Sequence, residues 1–272
     1  MVVEFLSTNF FIFVAIGFLA QLVDGALGMA YGVISTTALL TFGVQPVMAS
    51  ASVHIAEMFT TGMSGISHSL HKNVDWKLFF KITPVGIIGG VIGAYVLTSI
   101  HGNDIKFYII IYLALMGLLI LYRSIRPRKK IHLRNSLTIP LGLGGGFVDA
   151  VGGGGWGPVV TSTLIGIGES PRYVIGTVNT SEFFVATATS TSFIIALLTK
   201  HWHEENNLLI NANAIIGLML GGLIAAPLAG WVVKIIPVRA LGIMVGLLVI
   251  GLSLYQLHLG QYTLKQTPHL KS

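Results

Sequence analysis

Eight long apolar stretches dominate this sequence, and they leave too few charged residues to cover a water-soluble surface. Charged residues make up 10% of the 272 residues, whereas a soluble domain carries about 25%. Backbone groups in a bilayer must pair within helices or within a closed barrel, and these stretches lack the alternation of barrel strands. The sequence therefore predicts an all-α integral membrane protein. The stretches cover residues 9–41, 46–70, 78–99, 105–122, 137–166, 171–198, 210–233 and 238–257.

The first and fifth stretches are interrupted by glycines and are too long for a simple crossing. A crossing helix needs about 20 apolar residues, whereas each of these stretches runs to about 30 residues. They contain DGALGMAYG at 24–32 and DAVGGGGWG at 149–157. Each stretch is either one long, tilted, broken helix or two short arms that meet inside the membrane.

Basic residues predict the cytoplasmic side but do not choose between these two forms. Lysine and arginine are concentrated in loops 71–81 and 123–137, which the positive-inside rule assigns to the cytoplasm. Full crossings would add Lys200, Lys265 and Lys271 to that side, and re-entrant arms would add Arg172, Lys234 and Arg239. Either way, 12 of the 16 basic residues lie inside. Full crossings imply parallel repeats, and re-entrant arms imply inverted repeats.

The two halves of the chain match each other without a gap at an offset of 125 residues. Residues 17–67 and 142–192 are identical at 13 of 51 positions, and these include two acidic residues and a proline that composition alone does not align. The pattern predicts a first repeat at 1–122, a basic cytoplasmic linker at 123–136, a second repeat at 137–257 and a polar tail at 258–272. Internal repeats with a broken helix at the same place in each half are typical of transporters.

Four acidic residues fall inside the apolar stretches, as two pairs related by the repeat. A charge at the bilayer centre costs about 2.5–3.5 kcal/mol on insertion scales, so these acids predict a polar pathway in which protons are taken up and released. The alternative is structural, with each acid capping a half-helix. His54 lies three residues before Glu57 and so on the same helix face, where it could serve a proton relay. The acids are Asp24, Glu57, Asp149 and Glu182.

The glycine runs predict an anion site. A helix that restarts after a break presents unpaired N–H groups and a partial positive charge, and no basic residue lies deep in any stretch to replace them. The alternative is that glycines allow close helix packing. Hydroxyl groups and an amide in the neighbouring helices supply further donors. The predicted substrate-binding residues are Gly25, Gly28, Tyr31, Gly32, Ser35 and Thr36 in the first half, and Gly153, Gly154, Gly155, Trp156, Gly157, Thr161, Ser162 and Asn179 in the second.

Across about 9–257 the sequence resembles the sulfite exporter TauE/SafE family, also called the toluene-sulfonate uptake permease family. The resemblance is carried by VDGALGMAYG at 23–32, VDAVGGGGWGPVV at 148–160, and GVQP and GESP at 43–46 and 168–171. It implies a secondary transporter for sulfite, sulfonates or sulfoacetate that draws on an ion or proton gradient. Related thiosulfate carriers relay substrate through cysteines, and this chain contains none.

The leading hypothesis is a proton-coupled transporter of small anions, without a cofactor, in the cytoplasmic (inner) membrane. A cation carrier that uses the four buried carboxylates is the alternative, and an intramembrane enzyme with His54 and Glu57 as its acid–base pair is a third. The expected partners are the anionic substrate and the lipid bilayer, with a homodimer allowed for and no nucleic acid. The cluster HWHEE at 201–205 is interpreted as a solvated loop, and no metal site is predicted.

Overall fold

The structure, a computed structural model, describes residues 2–126, 137–202, 212–228 and 237–266. Within these ranges the chain is helical, in agreement with the all-α prediction. A π-helical turn at Gly157–Thr161 leads directly into α7, and a short 3-10 turn follows α9. The helices are α1 (Val2–Leu27), α2 (Tyr31–Thr41), α3 (Pro46–Leu70), α4 (Trp76–Thr98), α5 (Gly102–Ile125), α6 (Thr138–Gly152), α7 (Ser162–Gly166), α8 (Pro171–Leu198), α9 (Ala212–Ala225) and α10 (Val238–Gln266).

Five of the helices are long and apolar enough to cross a membrane. The apolar windows are Phe10–Leu27, Trp76–Thr98, Asp104–Ile125, Pro171–Leu198 and Arg239–Leu259. Helix α3 has the length but carries many buried polar residues, and α9 has 14 residues. Most of the predicted linker, residues 127–136, lies outside the described residues, as do 203–211, 229–236 and the end of the tail.

The first broken stretch folds back on itself as an antiparallel hairpin of α1 and α2. Positive φ angles at Gly28 (67°) and Ala30 (111°) reverse the chain between the two helices. The Tyr31 amide at the start of α2 lies 3.3 Å from Asp24 Oδ1 near the end of α1. At the other end of the hairpin, the rings of Phe13 and Phe42 are 5.5 Å apart. The end of α2 therefore lies beside the beginning of the apolar part of α1.

The second broken stretch forms an equivalent hairpin from α6 and the segment Gly157–Gly166. The Trp156 amide donates to Asp149 Oδ1 at 2.8 Å, across the same seven-residue separation as Tyr31 and Asp24. Further from the turn, a methyl group placed on Gly145 would lie 2.6 Å from Val160 Cγ2. Gly153 takes a φ of 67°, equal to that of Gly28. We call the two turns, residues 28–32 and 153–157, the hairpin tips.

Corresponding helices of the two halves pack antiparallel. Helices α3 and α8 approach at Gly65, which faces Thr180, and again where Gly176 faces Asn73. Helices α5 and α10 run antiparallel as well, with Gly117 against Ile250 and Gly242 against Ser124. Each hairpin packs on a helix of the other half: α1 packs on α9, and α6 packs on α4.

Arg172, in the first turn of α8, bears on the two forms that the charge rule left open. Its Nε donates to Asn73 Oδ1 at 2.6 Å and an Nη donates to the His71 carbonyl at 3.2 Å. Arg172 therefore lies beside the basic loop 71–81, which is the arrangement expected for re-entrant arms and inverted repeats.

Candidate functional site

The two hairpin tips meet in the interior of the protein and are in direct contact. A methyl group placed on Gly32 would lie 2.7 Å from Gly154 Cα, and one on Gly157 would lie 2.7 Å from Met29 Cα. Gly32 and Gly157 correspond in the repeat, as do Met29 and Gly154. Glycine is required here because any side chain would separate the two backbones.

Two threonine hydroxyls join each tip to the other. Thr36 Oγ1 donates to the Gly153 carbonyl, and Thr161 Oγ1 donates to the Gly28 carbonyl at 2.8 Å. Both hydroxyls were predicted to bind substrate, and in this structure they hold the two hairpins together. Ser162 donates within its own segment to the Pro158 carbonyl, whereas the buried Ser35 hydroxyl has no partner among the described residues.

The two aspartates bind the amides of their own tips, but they do so unequally. Asp149 Oδ1 accepts hydrogen bonds from the amides of Gly155 at 2.6 Å and Trp156 at 2.8 Å. Asp24 Oδ1 accepts one longer bond, from Tyr31 at 3.3 Å, and its Oδ2 has no partner in the part of the chain that the structure describes. Each aspartate therefore caps a helix start, which is the structural interpretation that the sequence allowed. Gly25 lies in the last turns of α1, before the tip.

His54, Glu57 and Asp149 form the tightest group of titratable side chains at the tips. His54 Nε2 lies 3.1 Å from Asp149 Oδ2, and one donor or acceptor atom of each residue lies within 4.8 Å of the other two. These three atoms are close enough to one another either to share a proton or to bind a metal ion as three protein ligands. Glu57 Oε2 is buried without a partner within the described ranges.

Glu182 is the fourth buried acid near the tips. It is 5% exposed, and an ionised Glu182 would be repelled by Asp24, Glu57 and Asp149. The fold thus brings together all four acids that the sequence singled out, together with His54. Asn179, the repeat counterpart of His54, lies one turn before Glu182 and donates to the Ile175 carbonyl at 3.2 Å.

Three amides at the tips remain available to an anion once the aspartate caps are counted. Gly32 and Val33 lie in the first turn of α2, whose N–H groups have no acceptor within the helix. Gly157 occupies the equivalent place in the second hairpin, where Pro158 has no N–H group. Gly154 packs directly against the amides of Gly32 and Val33, because a methyl group placed on Gly154 would overlap Val33 N. An anion can reach these amides only if the tips move apart.

The two aromatic residues that follow the tips anchor the hairpins. The Tyr31 hydroxyl donates to the Leu218 carbonyl of α9 at 3.0 Å, and Trp156 Nε1 donates to the Val178 carbonyl of α8 at 3.3 Å. Both side chains are fully buried, so they hold the tips in place in this conformation. They were predicted as substrate-binding residues, and their role toward substrate stays a prediction.

Two further residues at the second tip were not among the predicted site residues. Ser50 Oγ donates to the Ala150 carbonyl at 2.6 Å, and the Tyr112 hydroxyl donates to the Gly154 carbonyl at 2.9 Å. Ser50 corresponds to Ile175 in the repeat, so the repeat gave no signal for it. Tyr112 lies in the apolar helix α5, where a tyrosine gives no signal in the sequence. The HWHEE cluster is described only at His201 and Trp202, and His201 stacks on Tyr95 with ring centroids 4.4 Å apart.

Broken helices that meet inside a bundle of apolar helices, with acids at the meeting point, define a multi-pass membrane transporter. Residues 13–256 match the family described as Sulfite exporter TauE/SafE, and the chain belongs to this family. It is 44% identical over 242 residues to the probable membrane transporter protein YtnM of Bacillus subtilis (strain 168), covering 86% of this chain and 78% of that protein. No solved structure matches the chain.

Proposed function

We propose that this protein is a proton-coupled secondary transporter of small sulfur-containing anions, such as sulfite, a sulfonate or sulfoacetate, in the cytoplasmic membrane. The observation that carries the proposal is the meeting of two interrupted helices among four acids and a histidine. The amides of Gly32, Val33 and Gly157 would bind the anion when the tips separate. The family description supports a sulfur-containing anion as the substrate.

The four buried acids give a physical reason for proton coupling. Two like charges about 4 Å apart repel by about 4 kcal/mol at an effective dielectric constant of about 20, which lowers affinity by about a thousandfold. An anion therefore binds at the tips only when Glu57 and Glu182 are protonated and neutral. In the proposed cycle the anion and its protons move together in the same direction.

We further propose that the hairpins are re-entrant and that the halves are inverted repeats in an eight-segment arrangement. The 11 helical steps from Phe13 to Asp24 span about 16 Å of helix, which is about half of a hydrocarbon core of about 30 Å. The two tips would then meet near the midplane, each approached from its own side. This is the arrangement that alternating access requires.

A pair of single cysteines tests this topology in a chain that has no native cysteine. Gln45 and Ser170 are exposed residues that precede Pro46 and Pro171 at equivalent places in the two halves. A membrane-impermeant maleimide is expected to label Ser170→Cys only from the cytoplasmic side and Gln45→Cys only from the opposite side. Labelling of both from one side would show parallel repeats and overturn the inverted arrangement.

Neutral substitutions of the two glutamates test the coupling. Gln resembles a glutamic acid that is always protonated, so Glu57→Gln or Glu182→Gln removes a proton that must enter with the anion. With a pH difference of about one unit and the membrane potential clamped at zero, one proton sustains about a tenfold anion gradient. Sulfite accumulation in proteoliposomes is expected to fall by about this factor in each variant, relative to counterflow of the same variant.

The exposed loop residue Glu169 provides the matched control, because Glu169→Gln makes the same chemical change away from the tips. It should accumulate sulfite as the unmodified protein does. Accumulation at the unmodified level in both Glu57→Gln and Glu182→Gln would remove the proton role of these residues.

A cation carrier is the second candidate, because acids outnumber basic groups at the tips. Thermal stabilisation of the purified protein separates the two. An anion transporter is expected to be stabilised by sulfite or sulfonates, and more strongly at low pH. Stabilisation by monovalent or divalent cations that increases with pH, without an effect of anions, would favour the cation carrier.

A further inference from the structure

The two half-sites differ at one titratable position, His54, whose repeat counterpart is Asn179. His54 Nδ1 lies 2.8 Å from the Ser50 carbonyl, and Asn179 Nδ2 donates to the Ile175 carbonyl at 3.2 Å. Each side chain thus binds the carbonyl four residues earlier in its own helix. The backbone environment is repeated, but only the first half carries an imidazole.

The hydrogen bonds of His54 require a proton between it and Asp149. The Ser50 carbonyl can only accept, so Nδ1 must carry a hydrogen, and in a neutral imidazole Nε2 then presents a lone pair. Nε2 faces Asp149 Oδ2 at 3.1 Å, and an ionised carboxylate also offers lone pairs alone. One additional proton, on either residue, is therefore needed to make this contact attractive.

The second half lacks the imidazole that holds this proton in the first half. An amide does not titrate in the working range, so Asn179 cannot replace the imidazole. Asn179 Oδ1 and Asp24 Oδ2 are each buried without a partner among the described residues. The contact of His54 with Asp149, between α3 and the second tip, therefore has no histidine counterpart between α8 and the first tip.

The shared proton has an acceptor close by in Glu57. Glu57 Oε2 is buried and unpartnered in the described part of the chain, and a ligand atom of Glu57 lies within 4.8 Å of those of His54 and Asp149. The other titratable groups that face this cluster come from each neighbouring helix. They are Asp24 of α1, Tyr31 of α2, Tyr112 of α5 and Glu182 of α8.

We propose that the proton shared by His54 and Asp149 is a latch that holds the second hairpin tip against α3, and that its transfer to Glu57 releases the tip. In this step the Nε2–H bond of the pair breaks and an O–H bond forms on Glu57, and no other reactant takes part. Glu57 becomes neutral, and the uncompensated negative charge moves from Glu57 to Asp149, which no longer faces an imidazolium. At the same time two acceptors face each other at the latch, which frees the tip to move. This inference rests on the proposed function.

The latch also predicts which of the two tips is released when the proton is transferred. Asp149 holds the amides of Gly155 and Trp156, so release of Asp149 from His54 frees the second tip as one unit. The first tip has no such link, because Asn179 replaces the histidine. The two sides of the transporter are therefore unequal, and the proton of the latch passes through the first-half residues His54 and Glu57.

The test is a double-mutant cycle that measures proton-driven sulfite accumulation. His54 is replaced by asparagine, because asparagine is the residue at the equivalent position 179. If the latch supplies the proton of Glu57, His54→Asn should lower accumulation by about tenfold at a pH difference of about one unit. The double variant with Glu57→Gln should then show no further loss, whereas the double variant with Glu182→Gln should show the sum of both losses in free energy.

His71→Asn is the matched control, because His71 Nδ1 makes the same bond to the carbonyl four residues earlier, Ser67, at 2.7 Å but at an exposed helix end. It should accumulate sulfite normally. Unchanged accumulation in His54→Asn, or additivity with Glu57→Gln, would overturn the latch. Absence of proton-driven accumulation in the unmodified protein would instead refute the proposed function.

If the His54→Asn protein does not fold, Asp149→Asn is a second variant that tests the latch. The new amide can donate to the Nε2 lone pair of a neutral His54, so the contact persists without the shared proton. The same loss of accumulation is expected, and the dependence of counterflow on pH should flatten. Accumulation at the unmodified level in a folded Asp149→Asn protein would contradict the proposal.

Discussion

Gly154→Ala is expected to prevent the two hairpin tips from packing and to abolish transport. A methyl group at this position would overlap the backbone of Gly32 and Val33 in the opposite tip, and backbone atoms cannot rotate away as a side chain can. Overpacking typically costs about 1–3 kcal/mol, and the cost is occasionally larger. We expect a lower thermal midpoint for the purified protein, a smaller yield of monodisperse protein, and sulfite counterflow at background.

Gly144→Ala is the control for this prediction. Gly144 lies in α6 of the same hairpin, and a methyl group there would meet nothing within 4 Å. Alanine also has a higher helix propensity than glycine, by about 1 kcal/mol, so stability should be unchanged or slightly higher. Equal midpoints and equal counterflow in the two variants would show that the tips do not touch.

Asp149→Ala is expected to destabilise the protein more than Asp24→Ala, although the two aspartates match in the repeat. Asp149 accepts two short amide bonds and contacts His54, whereas Asp24 accepts one long amide bond. Removing one partner of a buried, hydrogen-bonded pair costs about 3–5 kcal/mol, and the tip amides would also lose their acceptor. The thermal midpoints of the two purified variants measure the difference.

Asparagine at the same positions distinguishes the effect of the hydrogen bonds to the tip amides from the effect of the negative charge. The amide side chain introduced by Asp149→Asn still has an oxygen for the two tip amides, so most of the stability lost in Asp149→Ala should return. A larger drop for Asp24→Ala than for Asp149→Ala would contradict the unequal roles that the hydrogen bonds assign to the two tips.

Much of the helix arrangement could be predicted, because each element has a local cause in the sequence. The stretches 46–70 and 171–198 coincide with α3 and α8, which begin at prolines that suit a first helical turn. The breaks were marked by an aspartate followed by glycines, and both are breaks in the structure. The direction of the chain after each break could not be predicted, since 12 of 16 basic residues lie inside in either form.

The partners of the site residues could not be predicted from one sequence, because they depend on contacts between the halves. Thr36 and Thr161 were expected to face an anion, yet each hydroxyl binds a carbonyl of the opposite tip. The repeat marked Asp24 and Asp149 as equal, and the inequality between them arises from His54, which only the fold places against Asp149. Tyr112 reaches the second tip from a helix whose sequence indicates only lipid contact.

The central claim is that a sulfur-containing anion binds where the two tips meet, on amides exposed when Gly154 withdraws from Gly32 and Val33. A crystal structure with 2-bromoethanesulfonate, in which bromine gives an anomalous signal, tests it directly. We expect the bromine peak between the tips, with the sulfonate oxygens on the amides of Gly32, Val33 or Gly157. A peak outside this region, with Gly154 still packed on Gly32, would contradict it.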